Sequence, residues 1–189
     1  KVMRSSSEHL TDLIEGLVDM SKIEAGRLDL HRNEVDIVGM IEQLVFMFQI
    51  QAQSKNLDLE FTHEQRLPEH VVADNKRLRQ VLINLISNAI KFTQQGTVTI
   101  DLKYRNQVAY ITVKDTGIGL KEEDIATITE PFVRIANADY QTSGSGLGLA
   151  ITQALIHCMG GDLNIESEYG TGSTFKISLM LPSVRQVEH

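Results

Sequence analysis

The segment NLISNAIKF at residues 84–92 combines apolar residues at helical spacing with two asparagines and a lysine. Its helix is predicted to begin after Asp74, whose side chain can cap the first turn. The apolar positions, three and four residues apart, are Leu78, Val81, Leu82, Leu85, Ile86, Ala89 and Ile90. Predicted strands stand on both sides of this helix along the chain, which indicates a domain built from helices and strands.

The two asparagines predict a polar site on this helix. Asn84 and Asn88 are four residues apart and share one side of it, with Lys91 close to one turn beyond Asn88. Asparagine is a poor helix former, so two at this spacing need an explanation. An amide oxygen can ligate Mg²⁺ and a lysine can meet a phosphate. The alternative is that both asparagines bond to neighbouring loops.

Two glycine-rich groups follow. DTGIG at residues 115–119 comes directly after a strand, which places a carboxylate at the strand end and glycines where backbone can approach a ligand. GSGLG at residues 144–148 opens a helix, where bare amides and the helix dipole can receive phosphate. Neither group matches the GxxxxGK[ST] phosphate loop or the dinucleotide fingerprint, and each alone is weak, but together they favour a phosphate site.

Periodicity along the chain predicts an α+β fold with mixed, largely antiparallel strands. Predicted helices follow Asp36 to about Ser54 and occupy residues 122–128 and 147–159. Predicted strands cover residues 57–61, 71–73, 97–104, 108–115, 162–168 and 173–181. Residues 116–146 are expected to form a long mobile loop around the short helix.

An amphipathic helix precedes this domain and fades near Gly26. Its narrow apolar stripe comprises Leu10, Leu13, Ile14, Leu17, Met20 and Ile23. Such a stripe cannot be buried by one helix alone, which leaves two interpretations. The helix either folds onto its own domain or pairs with another helix in a hairpin or a dimer.

Composition limits the possible partners. The 189 residues include 25 acidic and 18 basic side chains, for a net charge of -7, which argues against a broad cationic surface for nucleic acid. Any phosphate contact must therefore be local. No apolar run reaches the roughly 20 residues of a membrane span. The one cysteine, Cys158, cannot form an internal disulfide and is predicted to be a small core residue.

Four motifs carry a family resemblance. NLISNAIKFT at 84–93, DTGIG at 115–119, GSGLGLAI at 144–151 and GTGSTF at 170–175 resemble, in this order, the asparagine motif and the glycine motifs of sensor histidine kinases. SKIEAG at 21–26 is similar to the end of the second dimerisation helix in that family, especially in hybrid kinases. The resemblance spans nearly the whole chain.

The resemblance implies a two-layer α/β sandwich of the type shared with gyrase, the MutL repair protein and heat-shock chaperone ATPases, preceded by the dimerisation helix. Residues 1–33 would be that helix, residues 34–183 the catalytic ATP-binding domain and residues 184–189 a tail. ATP and Mg²⁺ would bind between loops at the sheet end and two helices.

Site residues follow from the motifs by the same resemblance. Asn88 would ligate Mg²⁺, Asn84 and Lys91 would contact phosphates as the catalytic pair, and Asp115 would accept a hydrogen bond from the adenine amino group. Phe92 could stack on adenine, Gly117 and Gly119 would leave room for the base, and Thr174 would join the adenine network. The amides near Gly144, Gly146, Leu147 and Gly148 would hold phosphate.

Asn84 also bears on the reaction. Hydrolytic members of the superfamily resemble one another in a glutamate four residues before the metal-binding asparagine, where it can serve as general base for water. An amide cannot do this, so the γ-phosphoryl group is expected to pass to a histidine, and from it to an aspartate of a response regulator. One rival is a degenerate, non-catalytic nucleotide-binding module, since the lid has Thr129 where the family often has an aromatic residue. The others are a hydrolytic ATPase and a structural α/β domain that binds no nucleotide.

The phosphoacceptor is expected outside this sequence. HEQRLP at residues 63–68 matches the family's acceptor string, but His63 ends a predicted strand, and His9 lacks the string. The expected partners are ATP, the protein's own dimerisation helices with the acceptor histidine, and a receiver domain, with no nucleic acid. The full protein is expected to be a homodimer and an inner-membrane sensor, with this part in the cytoplasm.

Overall fold

The computed structural model describes residues 2–135 and 146–184, except for the side chains of residues 2–6 and 9. The helices are α1 (Val2–Glu24), α2 (Ile37–Ser54), α3 (Asn75–Lys91), α4 (Glu122–Ile125) and α5 (Gly148–Cys158). The strands are β1 (Asn33–Val35), β2 (Leu57–His63), β3 (Val71–Ala73), β4 (Gly96–Arg105), β5 (Val108–Asp115), β6 (Asp162–Glu168) and β7 (Gly172–Met180).

Five strands form one mixed sheet in the order β2-β4-β5-β7-β6. Only β2 and β4 pair in parallel, because α3 and β3 intervene between them, and the other three pairs are antiparallel. Along β5, Ile111 and Val113 are buried while Tyr110 and Lys114 are exposed. The sheet therefore turns an apolar face to the helices and a polar face outward, and the predicted α+β sandwich is confirmed.

Two aspartates begin the helices that cover the sheet. The Asp36 Oδ1 accepts a hydrogen bond from the Gly39 amide at 2.8 Å, and the Asp74 Oδ1 accepts one from the Arg77 amide at 3.0 Å. Each carboxylate satisfies one of the amides left without a partner in the first turn. Both predicted caps are confirmed, and they fix where α2 and α3 begin.

One edge of the apolar stripe of α1 packs against α5. A Cβ added at Gly16 would lie 3.0 Å from the Ile151 Cδ1, and an Arg77–Asp19 ion pair of 3.2 Å, partly buried, also holds α1 to α3. On this edge Leu13, Met20 and Ile23 pack against the core, whereas Leu10, Ile14, Leu17 and Val18 are exposed. Thus α1 folds onto its own domain yet keeps an apolar edge, so pairing with another helix stays a prediction.

Cys158 and His63 each stand at the end of a helix or strand. Cys158 is exposed, so its prediction as a core residue is wrong: Leu155 and Ile156 take the buried side of the last turn of α5. His63 is the last residue of β2, which agrees with the prediction that it lies in a strand and is not a phosphoacceptor on a helix. Within the two described ranges, none of the helices combines the length and apolarity of a membrane span.

Candidate functional site

A cavity lies between the end of α3, the end of β5 and the start of α5. Its apolar walls include Ala89, Phe92, Ile118, Leu120, Ile128, Ile135, Leu149 and Phe175. Among the described residues that line it, Asp115 contributes the one carboxylate, and the other polar side chains are those of Asn88 and Ser173. An apolar cavity with one carboxylate and few other polar groups suits an aromatic ring that carries an N–H donor.

Asp115 is held in place by backbone amides. Its Oδ1 accepts hydrogen bonds from the Gly117 amide at 2.9 Å and the Ser173 amide at 3.3 Å. Burial raises the pKa of this carboxyl above its usual value, and the two amide bonds oppose that rise. Within the described residues no hydrogen bond is found to Oδ2, which leaves that oxygen to a donor in the cavity.

The glycines of the loop between β5 and α4 allow the backbone of other segments to come close. A Cβ on Gly117 would lie 2.3 Å from the Phe92 carbonyl oxygen, and one on Gly119 would lie 2.0 Å from the Glu168 carbonyl oxygen. Gly119 also has a φ of 65°. Gly119 borders the cavity, but the close approach that it permits is to β6, so the expectation that both glycines clear space for a base needs this correction.

Ser173, and not the predicted Thr174, lies beside Asp115. In β7 the buried residues alternate as Ser173, Phe175 and Ile177, and Ser173 pairs with Asp115 across the strands. Thr174 pairs with Lys114 on the outward face, so it does not line the cavity. The two-residue period counted back from Phe175 could have identified Ser173.

Asn84 contacts the start of α5. Its Nδ2 donates hydrogen bonds to the Gly148 carbonyl and, at 2.5 Å, to the Thr152 hydroxyl. An amide nitrogen has two N–H groups, so none is left for a phosphate in this arrangement. The predicted phosphate contact is not what this arrangement shows, and Asn84 instead fixes the distance between α3 and α5.

Asn88, Lys91 and Phe92 lie together at the end of α3. Asn88 and Phe92 line the cavity, and the Lys91 Nζ lies 5.5 Å from the centre of the Phe92 ring. Burial lowers the pKa of Lys91, and the charge of Arg134 lowers it further. The Lys91 ammonium thus places positive charge at the end of α3, which favours an anion there.

The residues present fit a magnesium ion that a nucleotide brings with it. Among the described residues the Asn88 side chain makes no hydrogen bond, and no cluster of three or more His, Cys, Asp or Glu side chains could hold a metal alone. Mg²⁺ in phosphate-binding sites characteristically takes one or two protein oxygens and fills its shell with phosphates and water. One amide oxygen is therefore a sufficient protein contribution.

The start of α5 differs from the starts of α2 and α3. Within the described residues no side chain caps it at Leu147, and its first turn contains no acidic residue. The start of α5 therefore keeps the positive end of its helix dipole, which favours an anion such as phosphate. Gly146 has a φ of 74° and packs on the Phe132 backbone. Gly144 lies outside the described residues.

A mixed sheet covered by helices on one face, an apolar cavity with one carboxylate and a helix start that can accept phosphate define an ATP-binding domain. Residues 73–183 match the family described as histidine kinase-, DNA gyrase B- and HSP90-like ATPases, and the chain belongs to this family. The domain is of the type that forms the catalytic part of sensor histidine kinases, as the following relatives show.

The chain is 35% identical to the aerobic respiration control sensor protein ArcB of Escherichia coli K12 over 189 residues, which cover 98% of this chain and 24% of ArcB. It is 36% identical to the sensor protein GacS of Pseudomonas syringae over 190 residues, which cover 97% of this chain and 21% of GacS. The chain therefore spans less than a quarter of the length of these relatives.

Two solved structures extend the likeness to the fold. Full-length ShkA in complex with AMPPNP superposes with a TM-score of 0.86 at 31% identity, covering 98% of this chain and 38% of ShkA. The histidine kinase AdeS of Acinetobacter baumannii gives a TM-score of 0.80 at 27% identity, covering 95% of this chain and 82% of AdeS. Both matches include most of α1 as well as the ATPase domain.

Proposed function

We propose that this chain binds ATP with Mg²⁺ and transfers the γ-phosphoryl group to a histidine on a dimerisation helix outside the described residues. The observation that carries the proposal is that the cavity with Asp115 lies next to the start of α5. The adenine base could bind in the cavity and the triphosphate beside it, at the helix start. The bound AMPPNP of the related ShkA supports this assignment. A response regulator aspartate would then receive the phosphoryl group.

The residues of the site divide the work. Asp115 and Ser173 hold the adenine edge between the walls of Phe92 and Phe175, while the amides at the start of α5 and the Lys91 ammonium hold phosphate. Asn88 would hold Mg²⁺, which supplies positive charge against the phosphate oxygens. Asn84 keeps α5 in position through Gly148 and Thr152.

Asn84 also supports transfer to a histidine over hydrolysis. Its amide has no useful basicity and is already bonded to α5, so it cannot activate a water molecule. The exposed α1 edge with Leu10, Ile14 and Leu17 supports a dimeric helical bundle that would bring the acceptor imidazole to the site. The parent protein is proposed, from the family resemblance, to be an inner-membrane sensor with this part in the cytoplasm.

Transfer can be tested by mixing the chain with a histidine-bearing dimerisation helix pair and ATP labelled at the γ-phosphate. We expect labelled helices and little free phosphate. Helices that lack the histidine serve as the control. Tight ATP binding without transfer would instead identify a regulatory module, and rapid phosphate release would identify a hydrolytic ATPase.

Asn88→Ala is expected to remove the Mg²⁺ dependence of ATP binding. Losing an oxygen ligand to a charged group costs about 1.5–3 kcal/mol, so affinity with Mg²⁺ should fall roughly 10–100-fold, with little change when Mg²⁺ is chelated. Titrations with and without Mg²⁺ measure this, with Asn164→Ala on the exposed face of β6 as the matched control. Equal losses in both conditions would contradict a metal role.

ATP binding is expected to weaken at alkaline pH because of Lys91. Burial and, to a smaller extent, the charge of Arg134 lower the pKa of Lys91 below 10.5, while bound phosphate favours the charged ammonium. Affinity should therefore fall as pH rises through the lowered pKa. Titrations from neutral pH to about pH 10 test this, with Lys91→Arg, which stays charged, expected to flatten the profile. Parallel profiles for both proteins would refute it.

A further inference from the structure

Lys55 connects the α2–β2 turn to the end of α3. Its Nζ donates hydrogen bonds to the carbonyl oxygen of Ile90 at 2.6 Å and to that of Lys91 at 3.2 Å. Its backbone amide also closes α2, by bonding to the Ala52 carbonyl oxygen at 3.0 Å. One residue therefore ends two helices, its own through the backbone and α3 through the side chain.

The final carbonyls of α3 each receive a donor from outside the helical ladder. The Thr93 hydroxyl donates to the Ala89 carbonyl at 2.7 Å, and the Ile118 amide donates to the Phe92 carbonyl at 3.3 Å. Lys55 donates to the two carbonyl oxygens between these, those of Ile90 and Lys91. Of these donors Lys55 is the charged one, and a cation at a helix C-terminus offsets the negative end of the helix dipole.

This helix end carries the site residues Asn88, Lys91 and Phe92. A negative helix end beside a site for ATP opposes the binding of its phosphates, and a loosely held last turn would let Lys91 and Phe92 move. We propose that Lys55 is a positioning residue for nucleotide binding, which fixes the last turn of α3 and cancels its negative dipole. The inference rests on the proposed function, since it assumes that ATP is the ligand.

Lys55→Met tests the inference through the difference between ATP and adenosine. We expect ATP affinity to fall about five- to tenfold, in line with a partly buried charge at a helix end, and adenosine affinity to change less than about threefold. Lys55→Arg keeps the charge and should restore most of the ATP affinity. Lys114→Met, on the exposed face of β5, removes the same charge elsewhere and should have little effect.

The outcomes separate the two proposals. If wild type binds no ATP, the proposed function and this inference both fail. If wild type binds ATP and Lys55→Met loses ATP and adenosine equally, together with thermal stability, the role is structural and the inference is overturned. Unchanged ATP affinity in Lys55→Met also overturns it. Should Lys55→Met not fold, Lys55→Gln keeps N–H donors without the charge and gives the same comparison.

Discussion

Asp115→Asn is expected to weaken ATP binding about 100-fold while the protein stays folded. The carboxylate offers its Oδ2 to the cavity, where the proposed partner is the adenine amino group. An asparagine of the same shape keeps an oxygen for the Gly117 and Ser173 amides, so its NH₂ group must face the cavity. Two N–H donors would then oppose one another in a buried cavity.

The same substitution should change which base is preferred. Inosine triphosphate carries an oxygen where ATP carries the amino group, so the new amide could donate to it. We expect Asp115→Asn to narrow or reverse the preference for ATP, measured as the ratio of the two dissociation constants. Asp162→Asn, exposed on β6, is the matched control. A uniform loss for both nucleotides, with a lower melting temperature, would contradict a direct role in base recognition.

Gly172→Ala is expected to destabilise the domain by more than about 3 kcal/mol. Gly172 has a φ of 143°, and a Cβ there would lie 2.1 Å from the Asp115 carbonyl oxygen. The backbone must shift to relieve that clash, which would separate β7 from β5 beside the adenine cavity. Urea unfolding measures the change in the free energy of unfolding.

Gly170→Ala provides the comparison two residues away. Gly170 also has a left-handed φ, 86°, but a Cβ there has nothing within 4 Å. Its substitution should cost only the conformational strain, about 1 kcal/mol. If both alanines cost the same, the close approach to Asp115 would not be the reason for glycine at position 172.

The helices and strands could be predicted from local patterns. Asp36 and Asp74 cap helices by contacts within three residues, and the alternation that predicts β5 and β7 needs no knowledge of distant neighbours. The site required more. Spacing and residue chemistry indicate the asparagines of α3 and the two glycine groups, but the role of each residue follows from the family resemblance. The assembly of the site depends on the strand pairing that brings Ser173 to Asp115.

Several differences between sequence and structure arise from contacts between segments that are far apart in the chain. Asn84 donates hydrogen bonds to Gly148 and Thr152, which follow it by 64 and 68 positions in the sequence. A helical pattern cannot reveal contacts at that separation. Gly117 and Gly119 do mark close approaches, but the backbone that they approach comes from other segments. For Thr174 the assignment by motif overrode the strand period, which places Ser173 on the inner face.

The contact at Gly16 determines which side of α1 faces α5. Glycine lets α1 come so close to α5 that a Cβ there would already crowd the Ile151 side chain. If α1 turned about its axis in place, it would bring Glu15 or Leu17 toward that point, and either side chain would wedge the helices apart. The same α5 begins at the proposed phosphate site and carries Thr152, the partner of Asn84. Rotation of α1 about its own axis is therefore coupled to its distance from α5.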